Sequence, residues 1–184
     1  MVGLVRGRDA GAAPGVTCES GGQCLKVETT GRVDCTVVRY AIGSDHAGRY
    51  LKDLLGEHLV ALGHEVVDLG TNSDEPVDYP DFGAAVGRAV MAGDADFGLC
   101  VCGTGIGIAI AANKIRGVRA AVVHDVSSAR LAREHNDANI ICFGGRLISS
   151  VVATDALDAF LATSFGGGRH IPRLAKIAQL EESW

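Results

Sequence analysis

The chain has 184 residues, of which 47% are hydrophobic, and it carries a formal net charge of -5. This length and apolar content suit one domain with a sizeable core. The acidic balance, and the lack of any run of Lys or Arg, argue against nucleic acid and anionic membranes as partners.

The first 35 residues differ in composition from the rest. They are rich in Gly, Thr, Ala and charge and show no sustained periodicity, so we predict a poorly ordered leader over 1–35 and a single domain over 36–184. No window approaches the roughly 18 apolar residues of a membrane span, and no signal-peptide core is evident, so we expect a cytoplasmic protein.

The six cysteines show no zinc-type paired spacing. Cys100 and Cys102 form C-x-C, which is not the C-x-x-C spacing of a dithiol redox motif. We therefore expect reduced thiols at all six positions, three in the leader and three in predicted strands: Cys18, Cys24, Cys35, Cys100, Cys102 and Cys142.

Strand-like and helix-like patterns alternate after the leader. TVVRYAIG predicts a buried strand, and helical spacing then relates Leu51, Leu54, Leu55, His58, Leu59 and Leu62. The later predicted elements are strand HEVVDLG, a helix after Pro80, strand FGLCVCG, a helix from Ile108 to Ile115, strand VRAAVV, a helix through Ala129 and Ala132, strand NIICFGG, a helix from about Ser150 to Leu161, and a last helix after Pro172.

This alternation predicts an α/β fold, a Rossmann-like three-layer αβα sandwich with a five-stranded parallel sheet. In such sheets ligands bind outside the carboxyl ends of the strands. The first strand ends at Asp45 and His46, where the aspartate is as well explained as a helix cap as by a functional role, whereas His46 favours function.

The third strand ends in a glycine-rich loop that contains Cys102, Gly103, Thr104, Gly105 and Gly107. Glycines let backbone N–H groups approach a ligand, and a helix N-terminus favours a phosphate or a developing oxyanion. The spacing is neither the dinucleotide fingerprint nor the Walker pattern. Cys102 is either a small buried hydrophobe or a candidate base or nucleophile.

Polar residues at three later places complete the set of candidates. REHNDANI offers His135 and Asn136 just before the fifth strand, which ends in GGR with Arg146. GGGRHIPR supplies Arg169, His170 and Arg173, and two guanidiniums four residues apart suit the bidentate binding of a phosphate, although a solvated basic turn explains this segment about as well.

Together these motifs resemble the ribose-5-phosphate isomerase B family, within the wider group that includes allose- and galactose-6-phosphate isomerases. The resemblance runs from about Arg39 to the C-terminus. It is carried by SDHAG (44–48), DYPDF (78–82), CGTGIGIAIAANK (102–114), REHNDAN (133–139), GGR (144–146) and GGRHIPR (167–173).

The resemblance implies an aldose–ketose isomerase that works without a cofactor or a metal, through an enediol. By the same resemblance, His135 opens the furanose ring with help from Asp45 or Thr104, and Cys102 moves the proton between C2 and C1. The backbone from Gly103 through Gly105 to Gly107 would stabilise the enediolate. The implied phosphate ligands are His46, Arg146, Arg169 and Arg173, and the implied sugar contacts are Tyr79 and Asn136.

The resemblance also implies a homodimer, with a tetramer left open, in which the site lies between subunits and binds a small sugar phosphate. The expected reaction interconverts D-ribose 5-phosphate and D-ribulose 5-phosphate. Two alternatives remain at this stage: an allose- or galactose-6-phosphate isomerase, whose substrate is one carbon longer, and a non-catalytic phosphate-binding module of flavodoxin-like build.

Overall fold

The computed structural model describes residues 37–182 of the chain. The predicted leader over 1–35 and its three cysteines lie outside the described residues. Within them, strands and helices alternate as predicted: β1 Arg39–Ser44, α1 Arg49–Ala61, β2 Glu65–Asp68, α2 Tyr79–Ala92, β3 Phe97–Cys102, α3 Ile106–Ala112, β4 Ala120–Val122, α4 Val126–Asn136, β5 Ile140–Gly144, α5 Ser150–Leu161, a 3-10 turn Gly168–His170 and α6 Ile171–Glu181.

The five strands form one parallel sheet in the order β2-β1-β3-β5-β4. Apolar residues of α1, α4 and α5 pack on one face, and those of α2 and α3 pack on the other. This confirms the predicted three-layer α/β sandwich with five parallel strands. The chain leaves β1 for β2 on one side and returns to β3 on the other, so a ligand crevice is expected where β1 and β3 adjoin.

Several elements differ in extent from their predictions, α3 and β4 among them. α3 ends at Ala112 rather than Ile115, because the side chain of Asn113 both donates to and accepts from the backbone of Ala120 at 2.8 Å and so ties the following turn to β4. β4 is shorter than VRAAVV because it pairs only with β5, over Ala120–Val122.

The last helix, α6, contributes no buried residue to the core. Its C-terminal end is fixed where the Gly117 N–H donates to Glu181 Oε2 at 2.9 Å and Arg116 Nη2 donates to the Glu181 carbonyl at 2.6 Å. Ile171, Leu180 and other apolar side chains of this helix are exposed. No helix among residues 37–182 combines the length and apolarity that a membrane span requires.

Candidate active site

The loops after β1, β3 and β5 meet at the carboxyl edge of the sheet. Cys102 pairs in register with Gly144, and the next two N–H groups, of Gly145 and Arg146, donate to the carbonyls of Cys102 and Gly103 at 2.9 and 3.0 Å. A Cβ on Gly144 would lie 2.7 Å from the Thr104 carbonyl oxygen. The small residues of these loops thus let the strand ends approach closely.

The thiol of Cys102 is buried at the carboxyl end of β3. The residue is 4% exposed, and the Gly105 N–H donates to its Sγ at 3.1 Å. Gly105 reaches this position with φ 77°, in the left-handed region that favours glycine. Thr104 is exposed, and its hydroxyl accepts the N–H of Ile106 at 3.3 Å.

The other two cysteines of the described residues sit deeper on the same face of the sheet. Cys100 and Cys142 pair in register on β3 and β5 and are fully buried, and neither forms a disulfide. Burial, and then the neighbouring Cys100, raise the pKa of Cys142 well above its usual range. Both side chains are free thiols in this structure, and Cys142 stays in its neutral form.

Asp45 and His46 follow β1 directly. Asp45 is buried and its Oδ1 accepts the Gly48 N–H at 2.9 Å, so the carboxylate stabilises the turn before α1. His46 Nδ1 accepts the Val77 N–H at 3.2 Å. Because Nδ1 acts as an acceptor, the proton of the neutral ring lies on Nε2, which remains available as a donor to a ligand.

Tyr79 and Arg146 border the glycine loop. A Cβ on Gly107 would lie 2.6 Å from Cε2 and Cζ of Tyr79, so the phenol ring lies directly on this glycine. A Cβ on Gly103 would lie 3.6 Å from Cδ and Nη1 of Arg146. A phenol and a guanidinium therefore stand next to the loop that holds the thiol.

The remaining candidates form a second cluster around the C-terminal end of α4. The rings of His135 and His170 stack with centroids 4.3 Å apart and an interplanar angle of 14°. The Gly166 N–H donates to the Glu134 carbonyl at 2.8 Å, which brings the segment of Arg169 to this helix end. Asn136 and Arg173 are exposed nearby, on the last residue of α4 and the first turn of α6.

His170 has no assigned role in the sequence-based site, although it lies between the two arginines of GGRHIPR. Partial burial, followed by the positive fields of His135, Arg169 and Arg173, lowers the pKa of His170. Arg169 Nε donates to His170 Nε2 at 3.4 Å, which requires an unprotonated nitrogen there. The neutral ring is thus suited to stack on His135. Only the folded segment reveals this contact, because 35 positions separate the two rings in the chain.

The two clusters lie at opposite ends of the parallel strands, one at the carboxyl ends and the other at the amino ends. α4 runs back from the carboxyl end of β4 to the amino end of β5, so its last turn, with His135, lies at the amino edge. Cys102 lies at the carboxyl edge. The six residues of β3 alone span roughly 17 Å at about 3.3 Å per residue. The candidate residues of one chain therefore form two separate groups. We call them the thiol half-site (Asp45, His46, Tyr79, Cys102–Gly107 and Arg146) and the imidazole half-site (His135, Asn136, Arg169, His170 and Arg173).

No group of three or more His, Cys, Asp or Glu side chains among residues 37–182 is arranged to hold a metal ion.

A model of the Ribose/Galactose Isomerase family matches residues 40–177. The chain belongs to this family. The family assignment confirms the resemblance carried by the sequence motifs, and the match spans both half-sites.

Two members of the Ribose/Galactose Isomerase family are similar to this chain over nearly their full lengths. Ribose-5-phosphate isomerase B of Escherichia coli (strain K12) is 44% identical over 144 residues, which are 78% of this chain and 97% of that protein. The structure of Clostridium thermocellum ribose-5-phosphate isomerase B has a TM-score of 0.78 and 48% identity, and the alignment covers 79% of this chain and 98% of the other.

A third relative was solved with a sugar phosphate. The structure of ribose-5-phosphate isomerase B from Mycoplasma genitalium with bound ribulose 5-phosphate has a TM-score of 0.76 and 42% identity, and the alignment covers 79% of this chain and 97% of the other.

Proposed function

We propose that this member of the family is an aldose–ketose isomerase that interconverts D-ribose 5-phosphate and D-ribulose 5-phosphate through an enediol. The observation that carries the proposal is the buried Cys102 thiol, whose sulfur accepts the Gly105 N–H at 3.1 Å at the carboxyl edge of the sheet. The similarity to a relative solved with bound ribulose 5-phosphate supports the pentose substrate.

The proposed reaction begins with His135, which transfers a proton to open the furanose ring, assisted by Asp45 or Thr104. The Cys102 thiolate then takes the proton from C2, a C1–C2 double bond forms, and the C1 oxygen takes up the negative charge. Backbone N–H groups of the 103–107 loop stabilise this enediolate oxygen. The proton of the C2 hydroxyl passes to the C1 oxygen, the thiol returns its proton to C1, and a carbonyl forms at C2.

The phosphate fixes the substrate relative to these groups. We assign it to His46, whose Nε2–H is free to donate, and to the guanidiniums of Arg146, Arg169 and Arg173. Tyr79 and Asn136 contact the sugar in this proposal. Because the phosphate is remote from the reacting carbons, its binding energy orients C2 next to the Cys102 sulfur and so assists proton transfer.

We further propose a homodimer, since both half-sites are needed and one chain holds them at opposite edges of its sheet. In a twofold dimer, the thiol half-site of one subunit meets the imidazole half-site of the other, and the reverse contact forms the second site. The exposed apolar side chains of α6 support an assembly that covers them. A reducing compartment such as the cytoplasm keeps the Cys102 thiol available.

The test is a coupled assay of ribulose 5-phosphate formation, run with EDTA. We expect turnover by the wild-type chain and a loss of about 100-fold to 10,000-fold in Cys102→Ala, the range for removal of a general base. Cys100→Ala is the matched control, because this buried cysteine lies two residues away on the same strand and outside the half-sites. Normal turnover by Cys102→Ala would refute the base assignment, and a higher kcat/KM for allose 6-phosphate would refute the pentose substrate.

A further inference from the structure

The turn that ends α4 has an unusual residue at its centre. Asp137 has φ 44° and ψ 45°, and among residues 37–182 it is the one non-glycine residue with a positive φ. Helices that end in this left-handed conformation usually carry glycine there, because a Cβ is disfavoured. A feature of the surrounding structure must therefore hold Asp137 in place.

Two arginines hold the Asp137 carboxylate. Arg133 Nη1 donates to Oδ1 at 2.8 Å, and Arg119 Nη2 donates to Oδ2 at 2.9 Å. Arg133 is buried, and its guanidinium carbon lies 4.8 and 5.5 Å from the ring centroids of Phe97 and Phe160. One arginine is thus fixed in the core, and the carboxylate links it to the other.

The same arginines also fix the backbone of the turn. Arg119 Nε donates to the carbonyls of Asn136 and Asp137 at 3.1 and 2.9 Å, and Arg133 Nη1 donates to the carbonyl of Ala138 at 2.7 Å. Three successive carbonyls are therefore bound by two guanidiniums that share one carboxylate. We call Arg119, Arg133 and Asp137 the arginine clamp.

We infer that the arginine clamp is a positioning device for His135 and Asn136, with Asp137 as its central residue. This inference rests on the proposed function, in which His135 opens the sugar ring. The clamp begins at the carbonyl of Asn136, so any rotation of the turn moves the last turn of α4. Asp137 does not touch the reacting atoms in this account; it sets where the imidazole stands when the second subunit presents its thiol half-site.

Assays with the two substrates distinguish a defect in ring opening by His135 from a defect in proton transfer by Cys102. Ribose 5-phosphate is a furanose that must be opened. Ribulose 5-phosphate has its C5 oxygen esterified and is open-chain, so exchange of its C1 hydrogen with D2O needs the thiol but no ring opening. His135→Ala should lose forward turnover and retain exchange, whereas Cys102→Ala should lose both.

The test variants are Asp137→Gly, which suits a positive φ and removes the carboxylate, and Arg119→Ala, which leaves the pair of Asp137 with buried Arg133 intact. We expect both to lower forward kcat by roughly 100-fold, the loss typical of a catalytic group displaced by about 1 Å, and to retain C1 exchange. The matched control is Ser127→Ala, at an exposed position in the first turn of the same helix, which leaves the arginine clamp untouched and should behave as wild type.

Circular dichroism and thermal midpoints establish that each variant is folded. If Asp137→Gly does not fold, Arg119→Ala carries the test, because its core arginine keeps a partner. Unchanged forward turnover in the folded variants, or a parallel loss of turnover and exchange, would overturn the positioning role. A wild-type chain that shows neither reaction would instead contradict the proposed function.

Discussion

Gly105 meets two separate requirements at the candidate site. Its φ of 77° lies in the region where a Cβ is strained, and a Cβ there would stand 2.8 Å from the backbone carbonyl carbon of Phe143. The same residue presents the N–H that binds the Cys102 sulfur. The sequence could predict that glycine is needed in such a loop, but the clash with β5 depends on strand pairing between residues far apart in the chain.

Gly105→Ala should therefore lower both stability and turnover. We expect a loss of about 2–4 kcal/mol in the free energy of unfolding, from a left-handed alanine and from overpacking against β5, measured by urea unfolding. Forward kcat should fall as well, because the donor to Cys102 moves.

Gly93→Ala is the matched control for Gly105→Ala. Gly93 has φ 79° at the end of α2, and a Cβ there would meet no atom within 4 Å. Gly93→Ala should lower the free energy of unfolding only by the backbone strain, about 1–2 kcal/mol, and should leave kcat unchanged. Equal losses of stability in the two variants would contradict the packing argument.

At the scale of elements, α4 has a stabilising cap at its first turn and candidate site residues at its last turn. Its first turn is a capping box, in which Asp125 Oδ1 accepts the Ser128 N–H at 2.7 Å and Ser128 Oγ accepts the Asp125 N–H at 3.2 Å. Its last turn carries His135 and the arginine clamp. Helical periodicity predicted the existence of this helix, whereas the clamp could not be predicted, since Arg119 precedes β4 and lies 18 positions from Asp137.

The capping box predicts a pH dependence of stability. Hydrogen bonds from Ser128 hold the pKa of Asp125 below its usual 3.8. A carboxylate with a lowered pKa contributes stability above the unfolded value, and the contribution is lost as pH falls through the folded value.

Asp125→Ala should thus lower the urea midpoint near neutral pH, and its difference from wild type should shrink once the pH falls below 3.8. Ser127→Ala, at the neighbouring exposed position, is the control that keeps the cap. A difference between Asp125→Ala and wild type that stays constant with pH would mean that the charge of Asp125 plays no part in the cap.

For the whole molecule, the sequence indicated the layers and the strand content but not the strand order. Alternating patterns place Cys102 at the carboxyl end of its strand and Asp45 and Arg146 just after theirs, and this is enough to bring them together in any parallel sheet. The pairing of β5 between β3 and β4 is non-local and appears only in the structure. The same holds for the stacking of His135 on His170 and for the bond between His46 and Val77.

The proposed sharing of half-sites predicts complementation between inactive variants. Cys102→Ala and His135→Ala, unfolded together and refolded, should regain about a quarter of wild-type activity, because half of the dimers are hybrids with one intact site of two. Each variant refolded alone is the control and should stay inactive. No recovery, with hybrid dimers detected by mass spectrometry, would show that each chain completes its own site.

The opposite placement of the half-sites also affects how activity depends on the amount of protein. In the proposed mechanism, a folded single chain holds every group of the reaction but cannot bring its own thiol and its own imidazole to one sugar. When dimers are scarce, the rate should therefore rise with the square of the chain concentration rather than in proportion to it. Under the proposed dimer, the opening of ribose 5-phosphate next to the thiol thus begins only when newly made chains find a second copy.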